Sequence, residues 1–300
     1  MIAVSEQVKG RDFLRVADWS RDELLACLDL ADRLKAEQRA GEEQRLLPGR
    51  TLGMIFQKPS TRTRVSFEAG IAQLGGTGLY LSASDLQLGR GETIRDTALV
   101  LSRYLDAIMI RTFAQSDVEE FAAHADVPVI NGLTDEHHPC QALADVMTIR
   151  ERLGRLEGVR VAYVGDGNNV CVSLAEAAAL VGMDFVAATP PGYEPPLDEP
   201  RITHDPHEAA RGADVLYTDV WTSMGQEEER DARLRAFAGY QVNAELLSAA
   251  AAEAIVLHCL PAHYGEEITE DVAYGPRSAL WDEAENRLHA QKALLALVVR

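Results

Sequence analysis

Lysine is scarce in this 300-residue chain. Only Lys9, Lys35, Lys58 and Lys292 occur, and 29 basic residues in all face 47 aspartates and glutamates, for a formal net charge of −18. That imbalance argues against nucleic acid or an anionic membrane as a partner, because phosphate-rich surfaces attract net positive ones. Long apolar runs are missing too. No stretch approaches the ~20 residues of a membrane-spanning helix, and the closing "ALLALVVR" reads as the end of a core helix. The opening "MIAVSEQVKGRDFLRV" lacks the basic-then-apolar layout of a signal peptide. Cysteine is sparse, and Cys27, Cys140, Cys171 and Cys259 are too scattered for a disulfide framework. Reduced thiols in a cytoplasm are expected. Internal repeats and low-complexity segments are absent.

With 47% hydrophobic residues, the chain can build two compact domains or one large one. "DWSRDELLACLDLADRLKAEQ" opens with Ser20 and, three residues on, Glu23, a capping box ahead of leucines at helical spacing. "RTLGMIF", "GTGLYLS", "AIMIRTF" and "PVINGL" read as strands. "RDTALVLSRYL" and "PCQALADVMTIRERLG" read as helices among them. Alternation of this kind predicts a parallel sheet covered on both faces. A connector near residues 145 to 158 follows, and the pattern restarts: strand "VRVAYVGDG", helix "VCVSLAEAAALVG", strand "DFVAATP", a proline-rich loop, strands "ADVLYTDVW" and "EAIVLHCLP", and a closing helix "ENRLHAQKALLALVV".

Ligands of open parallel sheets sit beyond the carboxyl ends of the strands. "FQKPSTRTR", "RTF", "GDGNN", "DVWTSMG" and "HCLPAH" all begin at such ends. In "FQKPSTRTRVSFEAG", Arg62 and Arg64 fall in the first turn of a helix that Ser60 would cap. The helix dipole repels a cation there by about 0.3–1 kcal/mol. Backbone N–H groups, hydroxyls and a guanidinium would together cradle a phosphate. Otherwise both arginines pair with surface carboxylates such as Glu68. Arg111, at a strand end, is an anion ligand or a surface arginine. Asp219 also ends a buried strand, where an unpaired carboxylate is costly. A cationic amine would relieve it, or Asp219 caps a turn.

Two other chemistries compete. Gly165 and Gly167 fit the first two glycines of a dinucleotide fingerprint. The third position is Val170, and "DFVAATP" ends without the acid that would take a ribose. His137, His138, Cys140, His258, Cys259 and His263 are zinc-ligand types, but adjacent His-His and His-Cys pairs do not match finger spacing.

Taken in order, "STRTR" followed by "SFE", then "LGRGETIRDTA", "RTF", "HPCQALAD", "GDGNN", "DVWTSMGQEEE", "HCLPAH" and "ENRLHA" resemble the ornithine branch of the aspartate/ornithine transcarbamoylase family. The likeness covers nearly the whole chain. It implies an α/β fold of two similar-sized doubly wound parallel-sheet domains with the active site between them. Residues 1–145, with a closing helix at 286–300, would bind carbamoyl phosphate, and residues 146–285 L-ornithine. The implied reaction moves the carbamoyl group to the δ-amine of ornithine, giving citrulline and phosphate, in arginine metabolism and expected to be biosynthetic. It implies no cofactor and no metal.

By the same resemblance, Ser60, Thr61, Arg62 and Thr63 hold the phosphate, and Arg111 reaches phosphate and carbamoyl oxygen. His138 bonds the carbonyl oxygen and Gln141 the amide nitrogen. The Cys259 side chain orients the amine, the Leu260 carbonyl touches the carbamoyl nitrogen, and Arg287 adds a contact from the start of the last helix. Asn169 faces the α-amino and carboxylate end of ornithine, Asp219 takes its amine, and Ser223 and Met224 lie in a loop that closes over it. Arg62, Arg111, His138, Asp219 and Cys259 form the catalytic group. A nucleophilic Cys259 with His258 or His263 is the rival, although ornithine is itself a nucleophile. Gln87 matches a residue supplied by a neighbouring chain, or else is a polar residue in a flexible loop. A homotrimer, or a multiple of trimers, is implied.

Overall fold

The hydrophobic runs become nine parallel strands in a computed structural model, which describes residues 6–197, 201–222 and 227–300. The chain divides into two units: one runs to Met147 and resumes over Asn286–Arg300, and the other is Thr148–Glu285.

In unit one, β1 (Thr51–Phe56), β2 (Thr77–Ser82), β3 (Ala107–Arg111) and β4 (Val129–Leu133) lie in the order β2-β1-β3-β4. The helices are α1 (Arg21–Arg39), α2 (Thr61–Gln73), α3 (Ile94–Leu101), α4 (Gln115–His124) and α5 (Pro139–Leu153), the last continuing into unit two. α1 begins at the expected capping box, with Ser20 and Glu23 exchanging backbone and side-chain hydrogen bonds. Ile55, Ile108, Ile110, Val118, Phe121 and Val129 form one apolar core of the unit. Each such burial contributes about 1.5–3 kcal/mol. The winding reverses between β1 and β3, where Phe56 is in register with Arg111. That register sets the "STRTR" segment beside Arg111 at the topological switch point, where open sheets bind ligands. β2 departs from the expectation of a sheet covered on both faces. It is an edge strand, and its Leu79 and Tyr80 are exposed.

In unit two, β5 (Arg160–Val164), β6 (Asp184–Ala188), β7 (Arg201–Thr203), β8 (Val215–Thr218) and β9 (Ile255–His258) lie in the order β7-β6-β5-β8-β9. The helices are α6 (Asn169–Val181), α7 (Pro206–Ala210), α8 (Arg230–Ala236), α9 (Ala244–Ala249) and α10 (Glu270–Ala273). Trp221, Phe237 and Tyr240 pack with Val186, Leu216 and Val256 in its core. Here the winding reverses between β5 and β8. "GDGNN" leaves β5 and Asp219 follows β8, with Cys259 following β9 next door.

The last helix, α11 (Leu280–Val298), corrects an expectation. It starts five residues before "ENR", so Arg287 sits two turns inside it. Asp282 and Glu283 form its first turn, where the dipole favours carboxylates. Its first residues belong to unit two, and Asn286 onward to unit one.

Candidate active site

The phosphate segment of unit one folds as its composition dictates. Ser60 has extended backbone, and its hydroxyl accepts the Thr63 N–H at 3.2 Å, which starts α2. Arg62 and Arg64 then point about 200° apart around the helix, since residues two apart do not face each other. Arg64 takes the surface alternative: it pairs with Glu68 at 3.1 Å and lies over the Tyr80 ring at 3.9 Å. Arg62 instead acts on His138 together with Arg111 and Arg287. Arg111 and Arg287 are buried, and both donate to the Thr63 hydroxyl, at 3.4 and 3.3 Å. Arg287 also donates to Gln141 Oε1 at 2.6 Å, and Gln141 Nε2 reaches Asp145 at 2.8 Å.

His138 lies at the entry of α5, buried among these cations. Burial first, then Arg287, Arg111 and Arg62, hold its pKa well below the usual histidine value. It is therefore a neutral imidazole within a positive field, a hydrogen-bond donor that adds no charge of its own. Cys140 next to it is a buried thiol pushed up to about 12 by burial, bonded to the Asn131 carbonyl at 3.3 Å.

Unit two gathers a different chemistry. Asp219 is buried, accepts Asn168 Nδ2 at 2.8 Å on one oxygen, and accepts the Cys259 thiol at 3.0 Å on the other. Among the described residues no cationic side chain pairs with it. Asn168 also caps α6, its Oδ1 accepting from Val170 N, Cys171 N and the Tyr163 hydroxyl. Asn169 opens the helix, half-buried. Leu260 has φ +57 and donates its N–H to His258 Nδ1 at 2.9 Å, while His258 Nε2 lies 3.0 Å from the buried Glu267. Because Nδ1 accepts, Nε2 carries the proton.

Ser60, Arg62, Thr63, Arg111, His138, Gln141 and Arg287 thus come together in unit one, with Thr61 exposed at the first position of α2. Asp219 and Cys259 come together in unit two. Gln87 is exposed, in a short 3₁₀ turn, Gln87–Arg90. Ser223 and Met224 lie outside the described residues. Local sequence pattern missed the second role of Asn168, which holds Asp219 as well as capping α6. It also passed over two ion pairs. Lys58, one of four lysines and adjacent to the motif, is buried over the Phe113 ring and paired with Asp135. Asp166, inside "GDGNN", pairs with Arg233 at 2.8 Å, and Arg233 also donates to the Trp221 carbonyl at 3.0 Å. Burial, opposed by Arg233, pushes Asp166 up to about 6. The pairing of Arg233 with Asp166 left no local signal, because the two are 67 residues apart, whereas its other partner, Glu229 at 3.1 Å, is one turn away.

The rival chemistries lose ground on geometry. A Cβ on Gly167 would lie 2.2 Å from Pro195 N, so the chain itself fills the space a diphosphate would need. Asn168 already occupies amides at that helix end. Ligand-type atoms of Asp219, His258 and Cys259 lie within 4.8 Å of one another, as do those of His263, Glu266 and Glu267. Neither group includes His137, His138 or Cys140. Both ring nitrogens of His258 are engaged, which leaves it no lone pair for a metal. The same engagement keeps His258 from serving Cys259 as a base.

An anion cradle beside one switch point and a buried acid beside the other define a class. Residues 11–151 match the carbamoyl-P binding domain of aspartate/ornithine carbamoyltransferases, and residues 157–298 match their Asp/Orn binding domain. The chain belongs to the aspartate/ornithine carbamoyltransferase family. It is 56% identical to ornithine carbamoyltransferase from Symbiobacterium thermophilum, over 97% of this chain and 99% of that one. The solved ornithine carbamoyltransferase of Pyrococcus furiosus has 55% identity and a TM-score of 0.94, covering 97% of this chain and 98% of that one. A solved Campylobacter jejuni enzyme, described as an anabolic ornithine carbamoyltransferase, has 38% identity and a TM-score of 0.88, covering 95% and 97%.

Proposed function

We propose that the chain transfers the carbamoyl group of carbamoyl phosphate to the δ-amine of L-ornithine, releasing citrulline and phosphate. The observation that carries this is Asp219, a buried carboxylate beside a thiol, on whose oxygens the donors among the described residues are all neutral. An aspartate acceptor would need cations there, whereas a diamino acid supplies the missing positive charge. Family membership and the names of the relatives support the same acceptor.

In this reading Ser60, Thr61, Arg62, Thr63, Arg111 and Arg287 hold the phosphate. Neutral His138 donates to the carbamoyl oxygen, and Gln141 and the Leu260 carbonyl serve its nitrogen. A donor aimed at an oxygen that gains charge in the transition state supplies about 2.7–4 kcal/mol. Arg62 and Arg111 stabilise the same charge. Asn169, Ser223 and Met224 hold ornithine at its α end and cover it. The δ-amine resembles a lysine amine of pKa ~10.4, so it arrives protonated and must lose a proton to attack. Asp219 and the Cys259 thiol orient it as the proton leaves. The departing phosphate accepts that proton, so no separate protein base is required. Much of the acceleration comes from holding two reactants in register.

The working unit in this reading is a homotrimer, or a multiple of it, with Gln87 given to a neighbour. The exposed apolar side chains Val65, Leu79 and Tyr80, at 56%, 44% and 39% exposure, lie on and around the edge strand β2 and support a covered edge on unit one. Biosynthesis of arginine in the cytoplasm completes the proposal, supported by the anabolic C. jejuni relative and by four cysteines held as thiols.

The test is citrulline formation with ornithine, N-acetylornithine, putrescine and aspartate as competing acceptors. Ornithine is expected to be carbamoylated in strong preference. Preference for any of the other three would overturn the assignment.

A further inference from the structure

We infer that Gln291, a fully buried residue of α11, is a positioning residue that holds two arginines of the basic cluster in unit one, Arg287 and Arg62, in one geometry. The inference rests on the anion-binding reading of that cluster.

Gln291 is one turn beyond Arg287 on the same helix. Its Oε1 accepts from Arg287 Nε at 3.1 Å, and its Nε2 donates to Ser66 Oγ at 2.7 Å. The orientation of the amide follows from chemistry. A guanidinium only donates, so the oxygen must face Arg287 and the nitrogen Ser66. The Ser66 hydroxyl in turn gives its proton to the Arg62 carbonyl at 2.6 Å. All three links run in one direction, from the Arg287 guanidinium through the Gln291 amide and the Ser66 hydroxyl to the Arg62 carbonyl. In such a chain each bond polarises the next.

The connection has two consequences. Arg287 is held at Nε by Gln291, which leaves its Nη groups toward Gln141 and the Thr63 hydroxyl. At the same time the first turn of α2, which carries Arg62 and Thr63, is held through the Arg62 carbonyl. A mid-helix serine bonded back to the carbonyl four residues earlier is free to bend a helix. Gln291 fixes where that bend lies. Lys292, next along α11, anchors the other end of α2 by donating to Gln73 at 2.9 Å, and it also reaches Gln38 and Gln44. α11 and α2 are therefore joined by buried polar contacts from one end of α2 to the other. Apolar packing would tolerate sliding between the helices, whereas these paired donors and acceptors do not.

The experiment compares Gln291→Met, which loses donor and acceptor at similar size, with Ser66→Ala, which cuts the links to the Arg62 and Thr63 carbonyls and leaves Arg287 held by Gln291. The KM for carbamoyl phosphate and the inhibition constant of inorganic phosphate are expected to rise about tenfold in each, the loss of one buried hydrogen-bond pair. The double variant should be no worse than Gln291→Met. The ornithine KM should not move. Gln291→Glu keeps the acceptor for Arg287 but cannot donate to Ser66, and should fall between wild type and Gln291→Met. If Gln291→Met does not fold, Ser66→Ala alone carries the same expectation. Unchanged phosphate constants in the single variants, or an equal rise in ornithine KM, would overturn the role of Gln291. Arg62→Ala, run alongside, separates the two levels. If it too left phosphate inhibition unchanged, the anion-binding reading itself would fail.

Discussion

Arg62 and Arg64 are two residues apart and have opposite fates. One faces the buried cluster, and the other lies on the surface between Glu68 and Tyr80. The sequence displayed both arginines equally, and only the helical rotation between them separates the roles. Lys292 is a second case. It is fully buried, and its amine donates to the amide oxygens of Gln38, Gln44 and Gln73, with the Glu37 carboxylate acting on it as well. Burial pushes its pKa down from 10.5 to about 8. Below pH 8 it is charged folded and unfolded, and the folded state bears the full desolvation cost. Between pH 8 and 10.5 the unfolded state holds more protons, so this contribution to stability improves as pH rises. The unfolding free energy of wild type relative to Lys292→Met should therefore increase from pH 8 to pH 10, as followed by denaturant titration. A flat difference would place the amine in water.

At the scale of elements, the caps were legible and their second duties were not. Ser20 with Glu23 and Ser60 before α2 cap where their positions predict, and the structure adds Asn168 as the cap of α6. The strands ending in "RTF", "GDGNN" and "HCLP" were equally readable, because buried parallel strands are continuous apolar runs. The short helices α7, α9 and α10 and the three-residue β7 carried too little periodicity to stand out. Asn168 shows what local pattern leaves out: the same amide that caps α6 also holds Asp219, a partner 51 residues away. Asn168→Ala is expected to lose about 1 kcal/mol of stability as a lost cap. It should also raise the ornithine KM, because Asp219 loses a donor. A stability loss with unchanged ornithine KM would reduce Asn168 to a cap. Gly167→Ala should be worse, since its Cβ would meet the backbone of Pro195 at 2.2 Å. Thermal unfolding is expected to fall by several degrees.

At the scale of the whole molecule, the formal charge of −18 hides two opposite local fields, one set by Arg62, Arg111 and Arg287 and one by Asp219. Net composition argued against polyanionic partners and said nothing of the small anion. The fold followed from alternation along the chain, but the convergence of "STRTR" with Arg287 depends on a helix more than 200 residues later. The exposed edge of unit one should be covered by copies of the chain. Sedimentation equilibrium is expected to give three chain masses or a multiple, and Tyr80→Glu to lower that number with loss of activity. A fully active monomer would contradict the homotrimer.

The most direct measurement is the pair of steady-state KM values in Asp219→Asn. Loss of a buried charge partner worth about 2 kcal/mol or more corresponds to a rise of at least roughly 30-fold for ornithine. The carbamoyl-phosphate KM should stay near that of wild type. An unchanged ornithine KM, with the loss falling on carbamoyl phosphate instead, would contradict the assignment of the amine to Asp219.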